Sequence, residues 1–246
     1  MTSTIEPALH ADIHAHMSRS PDTRTEPDLL PPADDGVPIA DPAPLGLAAF
    51  AGTAFVLSLF NAGLVGNAGL VAVVLPLALV YGGLVQLLAG MWEFRNDNTF
   101  GAVAFTSYGA FWISYFFFAR YIAGTLPPAD VHTGVGIFLL MWTIFTAYMT
   151  LAALKTNAAL IAIFATVLVT FALLTVGEFM ESALLLHAGG YFGLLAAAFA
   201  WYGSAAGVVN PTWRRTVLPV FSPCSLFGTA EHPKAAELDG CMTDFP

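Results

Sequence analysis

The chain has 246 residues, of which 57% are hydrophobic and only 10% are charged, and its mean hydropathy is +0.72. Soluble globular proteins carry about 25% charged residues, so this composition excludes an ordinary soluble domain. The net charge of −9 comes from the ends: residues 1–44 hold eight acidic residues and two arginines, residues 45–216 are neutral, and residues 217–246 contribute −3. No basic run indicates nucleic-acid binding.

Residues 1–40 form a polar region that is rich in Pro, Asp, Thr and Ala and has no apolar periodicity. Such a segment cannot bury enough apolar surface to offset the entropy of ordering, so we expect a disordered acidic tail. Its polarity also predicts that there is no cleavable signal peptide. His10, His14 and His16 have helical spacing in this tail, but an isolated motif of this kind is weak, and no metal or other cofactor is predicted.

Two prolines, Pro42 and Pro44, stand directly before the first long apolar run. Two prolines in three positions cannot continue a helix, but they can begin one with a preset backbone angle. The first helix is therefore expected to enter the membrane through a rigid turn. Gly46 would let another backbone come close, and Phe50 lies one turn further along.

The apolar residues fall into six runs of membrane-spanning length, at about 45–62, 68–91, 101–122, 133–153, 157–177 and 189–209. A helix needs roughly 20 apolar residues to cross the hydrocarbon core of a bilayer. The sequence thus predicts an all-α membrane protein, a six-transmembrane-helix bundle over residues 41–216. Pro76 is expected to kink the second helix. Residues 217–246, which include both cysteines, are predicted to be a mostly disordered cytoplasmic tail.

The charged residues indicate the orientation in the membrane. An even number of spans puts both termini on one side, and Arg95, Lys155, Arg214 and Arg215 then share that side, whereas Arg120 alone lies near the other. Cytoplasmic loops are enriched in Lys and Arg, so both termini are predicted to be cytoplasmic in a plasma-membrane protein. The predicted outer loops carry acidic residues and two histidines: Asp130, Glu178, Glu181, His132 and His187.

One face of the second helix combines glycines with polar side chains. Gly83, Gln86, Gly90 and Glu93 follow one another at helical spacing. Polar groups inside a membrane usually face a cavity or a partner helix. One interpretation is that the glycines leave space and that a polar solute passes along this face. The other is that Gln86 makes an interhelical hydrogen bond and Glu93 is solvated at the membrane interface.

The first and third helices supply further polar candidates. Asn98 or Thr99 is a suitable N-cap for the third helix. Tyr108 lies on an aromatic face that either packs against a neighbour or lines a path. Thr53 and Asn61 are polar positions of the first helix, although hydroxyls in membrane helices often bond only their own backbone.

Three blocks of the sequence resemble the acetate uptake transporter family, the succinate–acetate permease (YaaH-like) group. The first is DPAPLGLAAF (41–50), which resembles the family signature NPAPLGLxxF; the second is YGGLVQLLAGMWEFRNDNTFGAVAFTSYGAFW (81–112), and the third is FALLTVG (171–177). The residues that match or replace the core of the first signature are Asp41, Pro42, Pro44, Leu45 and Gly46. Asp41 stands where the family usually has Asn, and either repels carboxylates there or caps the first helix. Asp97 stands where the family usually has Gly.

The resemblance implies a six-helix protein that assembles as a homo-hexamer with one pore per protomer. It also implies an apolar pore constriction at Phe50, Tyr108 and Val167, where Val167 replaces a usual leucine and would widen the gap slightly. Solute contacts are implied near Thr53 and Gln86. Together with the polar positions named above, the candidate substrate path comprises Thr53, Asn61, Gln86 and Glu93.

The function predicted from these features is transport of acetate and related short-chain carboxylates, possible substrates including succinate, in a proton-linked or pH-stimulated manner. The partners are then the carboxylate, protons and the lipid bilayer. A channel for a small neutral solute such as ammonia or urea is an alternative, because no deep charge is required for it. A membrane sensor or scaffold with acidic tails is another. No HExxH, GxSxG, Walker or CxxC motif occurs, so an enzyme is not predicted.

Overall fold

Six long helices make up the body of the protein in a computed structural model that describes residues 39–66 and 68–221. All six are long and apolar enough to cross a membrane, which confirms the predicted spans. Their bounds are α1 Ala43–Asn61, α2 Gly69–Arg95, α3 Thr99–Thr125, α4 Pro128–Ala153, α5 Ala158–Phe179 and α6 Ala183–Trp213. The predicted N-terminal tail, apart from Ile39 and Ala40, and the chain beyond Phe221 lie outside the described residues.

The helices form a ring in chain order. Each packs against the helix before it, and α6 packs against α1 to close the ring. The contact between α3 and α4 differs from the others because it is made chiefly by side chains. Phe111 of α3 meets Trp142 and Phe138 of α4 with ring centroids 5.2 and 5.8 Å apart. This arrangement leaves an interior that all six helices surround.

The second helix changes its winding along its length. A 3₁₀ segment, Ala68–Val73, leads through the short α-helical turn Val74–Pro76 into a π-helical segment, Leu77–Val85, and then into regular α-helix, Gln86–Arg95. Because proline has no backbone N–H, Pro76 cannot supply the usual helical hydrogen bond. Pro76 stands directly before the π-helical segment, where the winding of the helix changes, and the predicted kink stays a prediction.

The DPAPLGL segment fastens α1 to two other helices. A Cβ at Gly207 of α6 would lie 2.6 Å from Pro44, and Ser204 donates a hydrogen bond of 2.7 Å to the Pro44 carbonyl. A Cβ at Gly46 would lie 2.7 Å from the ring of Phe105 on α3. Gly46 therefore admits an aromatic side chain and not another backbone, which corrects the expectation from sequence.

Local polar contacts fix the helix ends. The Asp41 carboxylate accepts a hydrogen bond of 2.9 Å from the backbone N–H of Ala43, so this residue does cap α1. Asn98 caps α3 by accepting from the N–H of Gly101 at 2.9 Å, as predicted. Asp97 has a φ of 53°, a left-handed conformation that explains why glycine is usual in this position of the resembled motif.

The described part of the chain extends beyond the predicted boundary at residue 216, as far as Phe221. After α6 it folds back, and Asn210 accepts hydrogen bonds from the N–H groups of Val217 and Leu218 at 2.8 and 2.9 Å. The Phe221 carbonyl then accepts from the N–H of Ala158 at 3.0 Å. The last described residues thus connect the end of α6 to the beginning of α5.

Candidate functional site: a constriction between two cavities

A large cavity of about 510 Å³ lies inside the helix ring. It occupies the end of the bundle at which α1 and α5 finish and α6 begins. Its walls are mainly aromatic and aliphatic, and the polar or ionisable side chains that line it include Ser58, Asn61, Glu178 and His187. We call this space the large cavity.

A much smaller cavity of about 20 Å³ lies further along the bundle. Its lining comes from α1, α2, α3 and α5, and we call it the small cavity. The residues that surround it are Leu47, Phe50, Gln86, Ala104, Phe105, Tyr108, Ile163, Phe164 and Val167. The only side chain among them with an amide is Gln86.

Phe50 and Val167 line both cavities, and Tyr108 lines the small one. All three side chains are buried, with 9%, 4% and 4% of their surface exposed, respectively. The rings of Phe50 and Tyr108 have centroids 6.0 Å apart. We refer to these three residues as the constriction. The structure brings together the three positions named from sequence, and their function as a gate stays a prediction.

Tyr108 is held on several sides. Its hydroxyl lies 2.8 Å from the hydroxyl of Thr146 on α4, and the two are hydrogen bonded. Its ring packs edge-on against Phe145 at 5.3 Å and at a tilt against Phe164 at 6.2 Å. The tyrosine therefore bridges α3 to α4 and α5 at the level of the small cavity.

Gln86 lines the small cavity together with the three residues of the constriction. It is 1% exposed, and its Oε1 atom has no hydrogen-bond partner in the part of the chain that the structure describes. An unpaired buried amide oxygen is costly, and native proteins keep few of them. Such an acceptor is suited to a solute that carries a donor.

The glycine face of α2 is not an open path. Gly90 packs against the backbone and side chain of Thr106, and a Cβ at Gly83 would lie 2.7 Å from Ile113, so α3 fills the space along this face.

Glu93, at the end of the same face, is fully buried and is not solvated at an interface. Its Oε2 atom accepts a hydrogen bond of 3.0 Å from the Asn98 amide. The interpretation that Glu93 is solvated at the membrane interface was therefore wrong, and its place on a substrate path stays a prediction. Its Oε1 has no partner among the described residues.

The two predicted path residues of α1 are placed differently. Thr53 is fully buried, donates a hydrogen bond of 3.0 Å to the Ala49 carbonyl of its own helix, and packs against Gly82 of α2. It lines neither cavity. Asn61, at the end of α1, lines the large cavity. Only Asn61 and Gln86 of the predicted path residues line either of the two cavities.

The model of the GPR1/FUN34/yaaH family matches residues 24–223 of the sequence. The chain belongs to this family. Ammonia transport outward protein 2 of Saccharomyces cerevisiae is 42% identical over 178 residues, which cover 70% of this chain and 62% of that protein. Acetate permease A of Emericella nidulans is 41% identical over 211 residues, covering 79% and 70%. This chain thus spans less than two thirds of the yeast relative.

A solved structure in the comparison belongs to the bacterial acetate channel SatP. It is 37% identical, with a TM-score of 0.69, and the match covers 74% of this chain and 99% of that chain. The succinate-acetate/proton symporter SatP of Escherichia coli K12 is likewise 37% identical over 182 residues, covering 74% and 95%. The six-helix fold of this family member is therefore that of SatP.

Sequence reasoning missed the polar seam between α4 and α5 of this family member. Thr146 holds Tyr108, and Thr143 is hydrogen bonded to Thr175 of α5 at 2.9 Å. At the end of the seam, Nδ1 of His132 lies 2.7 Å from a carboxylate oxygen of Glu178. His132 lies near the beginning of α4 and His187 near the beginning of α6, so both belong to helices and not to loops. The regular spacing of threonines on α4 was the available signal.

Proposed function

We propose that this protein transports acetate and related short-chain carboxylates across the membrane. The single observation that carries the proposal is the constriction, where Phe50 and Val167 line both the large and the small cavity and Tyr108 lines the small one. The relatives named as an acetate permease, a succinate-acetate/proton symporter and an acetate channel support it. We assign no enzymatic reaction to the cavities.

The electrostatics of the path favour a neutral solute at the constriction. Neither cavity has a lysine or arginine among its lining residues in the described part of the chain. A bare carboxylate would lose its hydration there without a compensating cation, which is costly. The acid therefore crosses in protonated form, or as an anion together with a proton. Carboxylic acids have pKa values of about 4, so acidic conditions promote either route.

The proposal extends to assembly and orientation. We expect a homo-hexamer in which each protomer has its own pore, in the plasma membrane with both termini in the cytoplasm. The distribution of basic residues supports the orientation, because Arg95, Lys155 and Arg214 all lie at the end of the bundle where α1 begins and α6 ends, whereas Arg120 lies towards the other. Crosslinking in native membranes measures the subunit number, and protease accessibility of a C-terminal tag measures the orientation.

Uptake of labelled acetate into proteoliposomes tests the function. The rate is compared with and without an inward proton gradient, and a protonophore is then added. Accumulation above equilibrium that collapses with the protonophore identifies a proton-coupled carrier, whereas rapid equilibration that the gradient does not drive identifies a channel. No flux above empty liposomes, with folded protein verified by gel filtration, would refute acetate transport.

A neutral-solute channel is the second candidate, because the yeast relative is named as an ammonia transport protein. The apolar constriction without lining cations is compatible with it. Competition distinguishes the two: unlabelled propionate should reduce acetate uptake, whereas urea or ammonia should not. A sensor or scaffold would instead lose its function on deletion of residues 1–40, and this deletion should leave acetate uptake intact.

A further inference from the structure

The contact between α3 and α4 depends on one buried pair of hydroxyl groups. Among the described residues, the bond of 2.8 Å between Tyr108 and Thr146 is the one side-chain hydrogen bond that joins these two helices. Thr146 is 0% exposed and Tyr108 is 4% exposed, so water does not compete for the bond. A hydroxyl that lost its partner here would be buried and unsatisfied, which proteins avoid.

The backbone carbonyl of Thr146 also accepts a hydrogen bond, from a threonine one turn further along α4. The Thr150 hydroxyl donates to the Thr146 carbonyl at 2.7 Å and lies 3.2 Å from the Phe164 carbonyl on α5. Phe164 in turn packs against the ring of Tyr108. Hydrogen bonds thus connect α3 through α4 to α5, which carries Val167, the third residue of the constriction.

The remaining contacts between Tyr108 and α4 are between rings. Tyr108 meets Phe145 at 5.3 Å and Trp142 at 6.4 Å. Aromatic pairs accept a wide range of distances and tilts, whereas a hydrogen bond weakens steeply when its angle departs from linear. The bond to Thr146 is therefore the contact that specifies where the tyrosine ring stands.

We propose that Thr146 is a positioning residue that holds Tyr108 in the constriction and thereby sets the largest solute that passes. This inference rests on the proposed transport function. Thr146 touches no solute, since it lines neither cavity. Without its hydroxyl, the Tyr108 side chain loses its fixed orientation and the constriction admits longer acids.

Four single variants test the proposal in proteoliposomes by the ratio of propionate to acetate uptake. Thr146→Val removes the hydroxyl at nearly constant shape, and the ratio should rise by up to about tenfold, the range for one neutral hydrogen bond. Tyr108→Phe should raise it similarly, and the double variant should not exceed the single variants, because both remove the same bond. Thr146→Ser should restore the wild-type ratio. Thr143→Val, which removes the bond to Thr175 instead, should leave the ratio unchanged.

A second measurement separates this inference from the transport function. The tyrosine ring doublet in ultraviolet resonance Raman spectra reports hydrogen bonding, and the difference between wild type and Tyr108→Phe isolates Tyr108. In folded Thr146→Val the Tyr108 doublet should change, because the Tyr108 hydroxyl has lost its hydrogen-bond partner. An unchanged signal, or an unchanged uptake ratio in folded Thr146→Val, would overturn the inference. Absence of acetate uptake by wild type would refute the proposed function instead, and the spectra would still decide whether Thr146 positions Tyr108.

Discussion

Phe50 and Tyr108 face each other with their ring centroids 6.0 Å apart, and Phe50, unlike Tyr108, also lines the large cavity. Removal of a side chain that borders both cavities is expected to join them, and Val167 shares this position with Phe50. The two rings therefore differ in what they do: Tyr108 is anchored by its hydroxyl to Thr146, whereas Phe50 holds its place by packing alone in the described structure.

We predict that Phe50→Ala increases acetate flux and loosens size selection, because an aromatic ring is removed from between the two cavities. Uptake of acetate, propionate and butyrate in proteoliposomes measures the effect. Phe55→Ala is the matched control, since Phe55 lies on the same helix, packs against Trp201 at 5.1 Å and lines neither cavity. Unchanged flux and selectivity in folded Phe50→Ala would count against the constriction.

Val167→Leu should narrow the path, because it adds a methylene to a side chain that is 4% exposed and borders both cavities. We expect propionate uptake to fall more than acetate uptake. Overpacking of this kind typically costs about 1–3 kcal/mol, so the thermal stability of the variant is measured in parallel. Val169→Leu, on the same helix but 36% exposed, should change neither rate. A propionate-to-acetate ratio equal to wild type would remove Val167 from the constriction.

The hydrogen bond between Asn98 and Glu93 joins the end of α2 to the beginning of α3, and its contribution to stability can be measured. Asn98→Asp keeps the cap of α3 but places a second carboxyl against Glu93, where the native amide donates at 3.0 Å. We expect loss of thermal stability at neutral pH that is relieved as the pH falls, because protonation of one carboxyl removes the repulsion and restores a donor.

The double variant Glu93→Gln with Asn98→Asp provides the control for this hydrogen bond. Its glutamine amide can donate to the new aspartate, so the hydrogen bond returns with donor and acceptor exchanged. Stability should recover to near that of wild type across the pH range. A double variant as unstable as Asn98→Asp alone would show that Asn98 contributes through something other than this bond.

Close packing on the glycine face of α2 predicts a sharp difference between two glycines. Gly90→Ala should lower stability by about 1–3 kcal/mol, the usual cost of overpacking, because its Cβ would collide with the Thr106 backbone. Gly124→Ala is the control, since a Cβ there would meet no atom within 4 Å. Thermal unfolding in detergent followed by circular dichroism measures both. Equal stability of the two variants would mean that α2 and α3 are not packed this closely.

The charge of Glu178 is expected to hinder anions at the large cavity, which it lines. Glu178→Gln should lower the apparent KM for acetate at pH 7 by roughly twofold to fivefold, a small effect because partly exposed charges are screened. At pH 5 more of the acid is neutral, and the difference from wild type should shrink. Glu181→Gln changes an exposed carboxylate outside the cavity lining and should have little effect. An unaltered KM in Glu178→Gln at both pH values would indicate that only the neutral acid enters.

The six spans and the cap at Asn98 could be predicted from sequence because both depend on local properties, the length of an apolar run and the chemistry of one helix end. The role of the glycine face of α2 could not be predicted. Glycines at helical spacing indicate that there is room beside the helix, but not whether a solute or a neighbouring helix occupies that room. Thr146 was missed for a related reason. A threonine in a membrane helix usually bonds its own backbone, and only the tertiary structure shows that this one bonds Tyr108.

The closure of the helix ring at α1 and α6 has a consequence for synthesis of the protein. Pro44, near the beginning of the ring, meets Gly207 and Ser204, near its end, so the last helix to leave the ribosome completes the wall. A nascent chain that lacks α6 surrounds no enclosed path.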